Sequence, residues 1–164
     1  MIPPPLIVTP GIRVRVIGIL VRQEKILLIA YDGMPNGSGF HYNFPGGGLE
    51  TGELLADGVR REMREEANCD VAVEGILALS EFAARDTQGE TLTHSVNVLF
   101  QVSLLPGSEP AQPPSPDPYQ VGVEWVPLDK LTEVRVYPPI AESLVSLLRQ
   151  NAAPVPVLEN ARGQ

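Results

Sequence analysis

Glu62, Glu65 and Glu66 stand within the stretch RREMREEANCD, Arg60 to Asp70, at spacings of three and four residues. On a helix this collects them within about a third of a turn. Like charges so placed repel by roughly 0.2–0.5 kcal/mol per pair. Carboxylate oxygens are hard ligands suited to Mg²⁺ or Mn²⁺, and a divalent cation turns that repulsion into attraction. Metal binding is therefore the chemistry to which the stripe points. Just upstream, FPGGGLETGE supplies Gly46-Gly47-Gly48, a run that lets backbone approach a ligand closely and adopt positive φ. Arg61, four residues before Glu65, is placed to pair with that carboxylate or to brace the loop.

The elements that must position these residues can be read on either side. Ile12 to Arg22, IRVRVIGILVR, is rich in β-branched residues and reads as a strand; QEK then turns it into ILLIAY, making a hairpin. Asp32 to Gly39 is loop by composition, and HYNFPGGGLETGE holds too many glycines for a regular element. Glu53 to Ala67 predicts a helix, with Leu55, Val59 and Met63 on one apolar stripe. Gly58 in its middle costs about 1 kcal/mol relative to Ala and points to close packing against the sheet. VAVEGILALSEF and HSVNVLFQVSLL are two further strands joined by a polar turn at RDTQGE.

Pro106 to Gln120 carries six prolines in fifteen residues. A structureless connection of that length is uncommon in a compact domain, so it is an ordered flap or a floppy insertion. VGVEWVPL returns as a strand, with Trp125 in the core, and YPPIAESLVSLLRQ opens a closing helix on its prolines. Strands on both sides of a central helix indicate an α/β sandwich with a mixed sheet. We expect one domain over residues 1–150 and a flexible tail over 151–164.

Composition bounds the partners. The net charge is −8, which leaves no basic face for nucleic acid. Cys69 is the single cysteine, so no internal disulfide forms and a reducing compartment is the natural home. The amino-terminal residues MIPPPLIVTPG make a poor signal peptide, and no apolar run approaches the ~20 residues of a membrane span. A cytoplasmic location is the expectation.

The box residues resemble the Nudix hydrolases, whose motif has the form G-x5-E-x7-R-E-apolar-x-E-E-x-G-apolar. Here it runs from Gly47 through Glu53 to Arg61-Glu62-Met63-Arg64-Glu65-Glu66-Ala67-Asn68-Cys69. Cys69 serves as a small apolar residue. Asn68 replaces a glycine just past the helix, where a left-handed residue is wanted and Asn is the usual second choice. The resemblance implies a Nudix-type α/β/α sandwich with a loop–helix–loop catalytic motif. It implies hydrolysis of a nucleoside diphosphate linked to another moiety, X, with Mg²⁺ or Mn²⁺ as cofactor. Glu62, Glu65 and Glu66 are then the metal ligands, joined by the Gly47 carbonyl; Glu53 is a supporting carboxylate and Arg61 orients a glutamate. The general base is Glu65 within the box, or Glu109 or Asp117 in the proline-rich loop. Tyr42 holds a place where the family often has tryptophan, either stacking on a base or filling the pocket wall. Arg13 and Arg15 share one strand face, which reads first as an exposed face and only secondly as one that could reach phosphate. His41 and His94 lack metal-site spacing and read as ordinary polar residues.

Subfamily marks are missing. ADP-ribose enzymes tend to carry a proline about sixteen residues past the box, where this chain has Arg85; dinucleoside polyphosphate enzymes tend to carry a tyrosine nearby, where it has Asp86 and Thr87. A nucleoside triphosphate or a nucleotide sugar is the expected substrate, with selectivity in the loops 32–39 and 106–120. The alternative is a catalytically silent Nudix-fold module that binds a nucleotide ligand or a protein partner. Such modules usually have damaged boxes, whereas this chain keeps all four glutamates. Homodimers are frequent in the family; the sequence leaves the oligomeric state open.

Overall fold

The computed structural model describes residues 11–85 and 91–159, apart from the side chains of residues 91 and 92. The proline-rich amino-terminal arm, the turn between the two long strands and the last five residues lie outside them. Strands β1 (Arg13–Arg22) and β2 (Lys25–Tyr31) form a hairpin. Its two turn residues, Gln23 and Glu24, both have positive φ, 51° and 59°, the twist that a two-residue hairpin turn requires. The strands pair only at Val21 with Ile26 and Arg22 with Lys25, then diverge into two halves of a curled, mixed sheet.

In one half, β1 runs parallel to β6 (Thr91–Leu104) and antiparallel to β4 (Gly46–Gly48), while β5 (Val71–Arg85) lies antiparallel along β6. In the other, β2 is flanked by β3 (His41–Asn43) and β7 (Gln120–Pro127), both antiparallel, and β8 (Val136–Tyr137) pairs parallel with β3. Helix α1 (Leu55–Ala67) packs on one face; helix α2 (Ala141–Arg149) and a 3₁₀ turn at Leu128–Glu133 pack on the other. The fold is the expected α/β sandwich.

Residues 16–20 of β1 are buried without a break because both faces are covered. Val16 and Leu20 join Val59 and Met63 of α1, whereas Ile17 and Ile19 join Leu131, Leu144 and Val145. Burying each large apolar side chain contributes about 1.5–3 kcal/mol. Gly18 is where the helix comes nearest: a Cβ there would stand 2.6 Å from the Met63 sulfur. Asn68 ends α1 in the left-handed region at φ 49°, ψ 38°, with its N–H donating to the Arg64 carbonyl.

Four sequence expectations are revised. The glycine run pairs with Arg15–Ile17 as β4, since a ladder needs only backbone and β1 offers an open edge there. Helix α1 starts at Leu55, because Glu53 turns back to accept the Glu50 N–H at 3.1 Å. Gly58 makes its close approach to the box loop rather than the sheet, its virtual Cβ falling 3.0 Å from Glu53 Oε2 and Leu49 Cδ1. The tail does not fray throughout: Val155 exchanges two hydrogen bonds with Ile76, at 2.7 and 2.8 Å, and Val157 packs on the core. Gly75, at φ 150°, admits this segment against β5.

Ending the chain after Ala153 is expected to remove about 1–2 kcal/mol and to lower Tm by several degrees. An unchanged melting curve would show that the bridge contributes nothing.

Candidate functional site

One guanidinium answers the repulsion on the carboxylate stripe. Arg61 grips Glu53 with two nitrogens, at 2.8 and 3.0 Å, and reaches Glu62 Oε1 at 2.8 Å and Glu65 Oε2 at 3.0 Å. It also donates to the Gly48 carbonyl at 3.1 Å. Of the two uses expected for Arg61, pairing and bracing, the structure shows both. The charge-assisted bond to Glu53 is the main reason the Arg61 pKa is raised, and it holds Glu53 below the usual carboxylate range.

The glycines of β4 make room for side chains. A Cβ at Gly47 would fall onto the Glu62 carboxylate, one at Gly48 would lie 2.6 Å from the Arg13 guanidinium, and one at Gly46 would strike the Val16 backbone. Glu62 and Glu66 are consequently 7% and 8% exposed, whereas the Glu65 side chain is 57% exposed. Glu66 accepts the Gly46 N–H at 2.8 Å and lies 3.3 Å from the Tyr31 hydroxyl, which is 3.4 Å from Asp117 Oδ2. Burial pushes Glu66 up to about 8 against the pull of the Gly46 N–H, and neighbouring Glu62 and Asp117 push the same way. Burial likewise raises Glu62, opposed by Arg61. The Tyr31 pKa is raised by burial and then by the Glu66 and Asp117 charges.

These groups line a cavity of about 380 Å³ together with Arg13, Arg15, Met34, His41, Asn43 and Gly47. Arg15 is drawn below its ordinary pKa by burial and by Arg13. Its Nε is buried without a partner, and neither arginine has an ion pair among the described residues. A larger cleft, about 680 Å³, opens beside Leu77, Leu148 and Pro154. It brings together no comparable cluster of acids and cations, so chemistry rather than size identifies the site.

Of the residues singled out in the sequence, Arg13, Arg15, Gly47, Glu62, Glu65, Glu66 and Asp117 meet in the cavity. Glu53 stands behind it, held by Arg61. Glu109 is outside, in a fork with Arg22 at 2.8 and 3.0 Å. Tyr42 packs on the opposite core and donates to Glu124 at 2.7 Å; burial first, then that bond, push it up to about 12. His94 lies 2.8 Å from Glu81, and Trp125 is half-buried under the Arg22 guanidinium. Tyr31 is not singled out in the sequence, Met34 lies in the 32–39 loop expected to carry selectivity, His41 reads as an ordinary polar residue, and Asn43 is not named. Strand alternation holds the signal for the last two, because they flank Tyr42 and face the other way.

The proline-rich segment is tied to the end of α1 at two points. Ala111 N–H donates to the Ala67 carbonyl at 2.9 Å, and Gln120 Nε2 to the Glu66 carbonyl at 2.8 Å. These bonds cap the end of α1 and carry Asp117 to the cavity.

Among the described residues no three acidic, histidine or cysteine side chains already converge as a metal cluster; Glu62 and Glu65 are turned toward Arg61 instead. The donor chemistry nevertheless fits a hard divalent cation. Oxygen donors alone project from the helix, beside a glycine cradle that a Cβ would fill, and their burial disfavours bare negative charge.

The NUDIX domain family model matches residues 10–148, and the chain belongs to the Nudix family. It is 32% identical over 94 residues to an ADP-ribose pyrophosphatase of Methanocaldococcus jannaschii, across 57% of this chain and 52% of that one. The chain thus spans about half the length of the curated relative it matches. A NUDIX hydrolase from Nitrosomonas europaea has a similar structure, with a TM-score of 0.76 at 20% identity, covering 94% of this chain and 100% of that one. The NUDIX domain of Shewanella oneidensis NrtR, solved in complex with ADP ribose, gives 0.58 at 18% identity over 87% and 90%. Both likenesses are of fold. Among the described residues, no helix is long and apolar enough to cross a membrane.

Glu66 carries a pH signature. Between its ordinary value near 4.5 and about 8, the folded metal-free protein holds a proton that the unfolded chain has released. Its stability therefore falls as pH rises through that window, by a few kcal/mol at most. Glu66→Gln, which imitates the protonated form, is expected to match wild type near pH 5 and to melt several degrees higher at pH 8.5. Parallel melting curves at both pH values would contradict the raised pKa.

Proposed function

We propose that this protein is a divalent-metal-dependent pyrophosphohydrolase acting on a nucleoside diphosphate linked to another moiety, with Mg²⁺ or Mn²⁺ as cofactor. The observation that carries the reading is the juxtaposition of two guanidiniums that lack ion pairs among the described residues, Arg13 and Arg15, with the carboxylates of Glu62, Glu65 and Glu66 in one cavity. A site built only for metal has no use for the cations, and a site built only for an anion has no use for the acids. A metal-bound diphosphate uses both.

Glu62, Glu65 and Glu66, with the Gly47 backbone, would hold the cation. When bound, it neutralises diphosphate charge and lowers the pKa of a coordinated water. Arg13 and Arg15 bind and orient the diphosphate oxygens. Arg61 holds Glu53, Glu62 and Glu65 at fixed spacing. The water oxygen bonds to phosphorus, the bridging P–O bond breaks, and the water proton passes to a carboxylate. Glu65 and Asp117 border the cavity and are the candidates for that proton; Glu109 is not, being paired with Arg22 outside it. The products are a nucleoside monophosphate and phosphorylated X. Among substrates, the ADP-ribose pyrophosphatase relative favours a nucleotide sugar over a triphosphate, although the proline mark is absent at Arg85.

The test is nucleotide release from a panel of nucleoside diphosphate derivatives and triphosphates with Mg²⁺ or Mn²⁺. Glu62→Gln is expected to lower kcat by about 10²-fold or more while leaving the fold intact. A folded protein that takes up Mg²⁺ yet turns over nothing would favour the silent binding module. Arg15→Ala is expected to raise KM about tenfold with a smaller change in kcat, because its contact with the diphosphate is made before the transition state. A kcat loss at constant KM would move Arg15 into transition-state stabilisation.

A further inference from the structure

His41 and Asn43 form a part of the cavity lining that the hydrolysis scheme does not use. His41 is 1% exposed. Its ring stacks on Tyr31, with centroids 5.8 Å apart, and meets Tyr137 edge-on at 5.4 Å. Nδ1 lies 2.8 Å from the Gly39 carbonyl oxygen. A carbonyl only accepts, so Nδ1 carries the proton, and in the neutral ring Nε2 is left as a bare lone pair. Nε2 has no partner among the described residues, nor is it one of the buried polar atoms sealed away unpaired. The ring is part of the cavity lining. Asn43, two residues on, faces the same cavity, and its side-chain amide also lacks a partner among the described residues.

This lining differs in kind from the arginine and glutamate part. Its imidazole is fixed by two rings and a carbonyl, and with the ring in its neutral form it offers acceptors: Nε2 of His41 and the Asn43 amide oxygen. An ionised phosphate has acceptor oxygens only and gains nothing from Nε2. A hydroxyl can donate to it, and neighbouring hydroxyls can engage both residues. We infer that His41 and Asn43 form a subsite for sugar hydroxyls of the substrate, with His41 a specificity-determining residue. Placing this subsite beside the diphosphate rests on the hydrolase reading above. Such hydroxyls have two sources in a nucleotide sugar, the nucleoside ribose and the sugar beyond the diphosphate.

Calorimetry with the whole protein in EDTA reads binding without metal or turnover. The probes are ADP-ribose, its 2′-deoxyadenosine counterpart and an analogue deoxygenated in the distal ribose. Wild type is expected to bind ADP-ribose about tenfold more tightly than one of the deoxy analogues, and which one it disfavours identifies the source. His41→Asn keeps an amide nitrogen near the position of Nδ1 for Gly39 and removes Nε2. It should bind all three equally, at the weaker level, with a lower melting temperature because the ring contacts to Tyr31 and Tyr137 are lost. His41→Gln, which restores a polar group near Nε2, should recover part of the preference. Equal affinities of wild type for the three probes would overturn the inference, even where His41→Asn fails to fold. So would a His41→Asn variant that keeps the wild-type preference. Discrimination in a protein that hydrolyses nothing would leave the subsite standing and sink the hydrolase reading; hydrolysis without discrimination would do the reverse.

Discussion

The Arg61 guanidinium is the contact on which the site depends. Three carboxylates and a β4 carbonyl converge on its planar fork. Without it, Glu53, Glu62 and Glu65 would have to be separated or protonated. The fork also ties the start of α1 to β4 through Glu53 and Gly48, so charge balance and backbone placement are one arrangement. Lysine could supply the charge but not the geometry, since a single ammonium lacks the spread of a five-donor plane.

Around that fork, the sheet sets the depth of the cavity. β1 and β2 share only the hairpin end and then part, and the cavity borders both. β1 brings Arg13 and Arg15, β2 brings Tyr31, β3 brings His41 and Asn43, and β4 brings glycines small enough to leave space. Glu66 is buried where the Gly46 N–H donates to it, and that burial raises its pKa. The protein tolerates a poorly solvated acid there at a local loss of stability.

Much of this was legible in the residues alone. The glutamates and Arg61 lie on one helix, where covalent spacing fixes geometry within a turn or two. The long strands announced themselves by β-branched runs. The glycine strand did not, because its order comes from the open edge of β1 rather than from its own preference. Tyr42 and His41 were weighed the wrong way round for placement in the cavity: aromatic character suggested Tyr42, but side-chain direction on a three-residue strand follows from its pairing with β2. Asp117 and Glu109 could not be told apart in a segment of irregular chain. Long-range contacts at Ala67, Glu66 and Arg22 separate them.

The clamping of the proline-rich segment at Ala111 and Gln120 has an evolutionary consequence. Both anchors hold the end of α1, while residues 114–119 between them are exposed. Insertions or exchanges in that span can remodel the mouth of the cavity while the anchors keep the glutamate helix in register. The mouth of the cavity can thus drift while the glutamate helix is kept, except at Asp117, which lies in the span and borders the cavity.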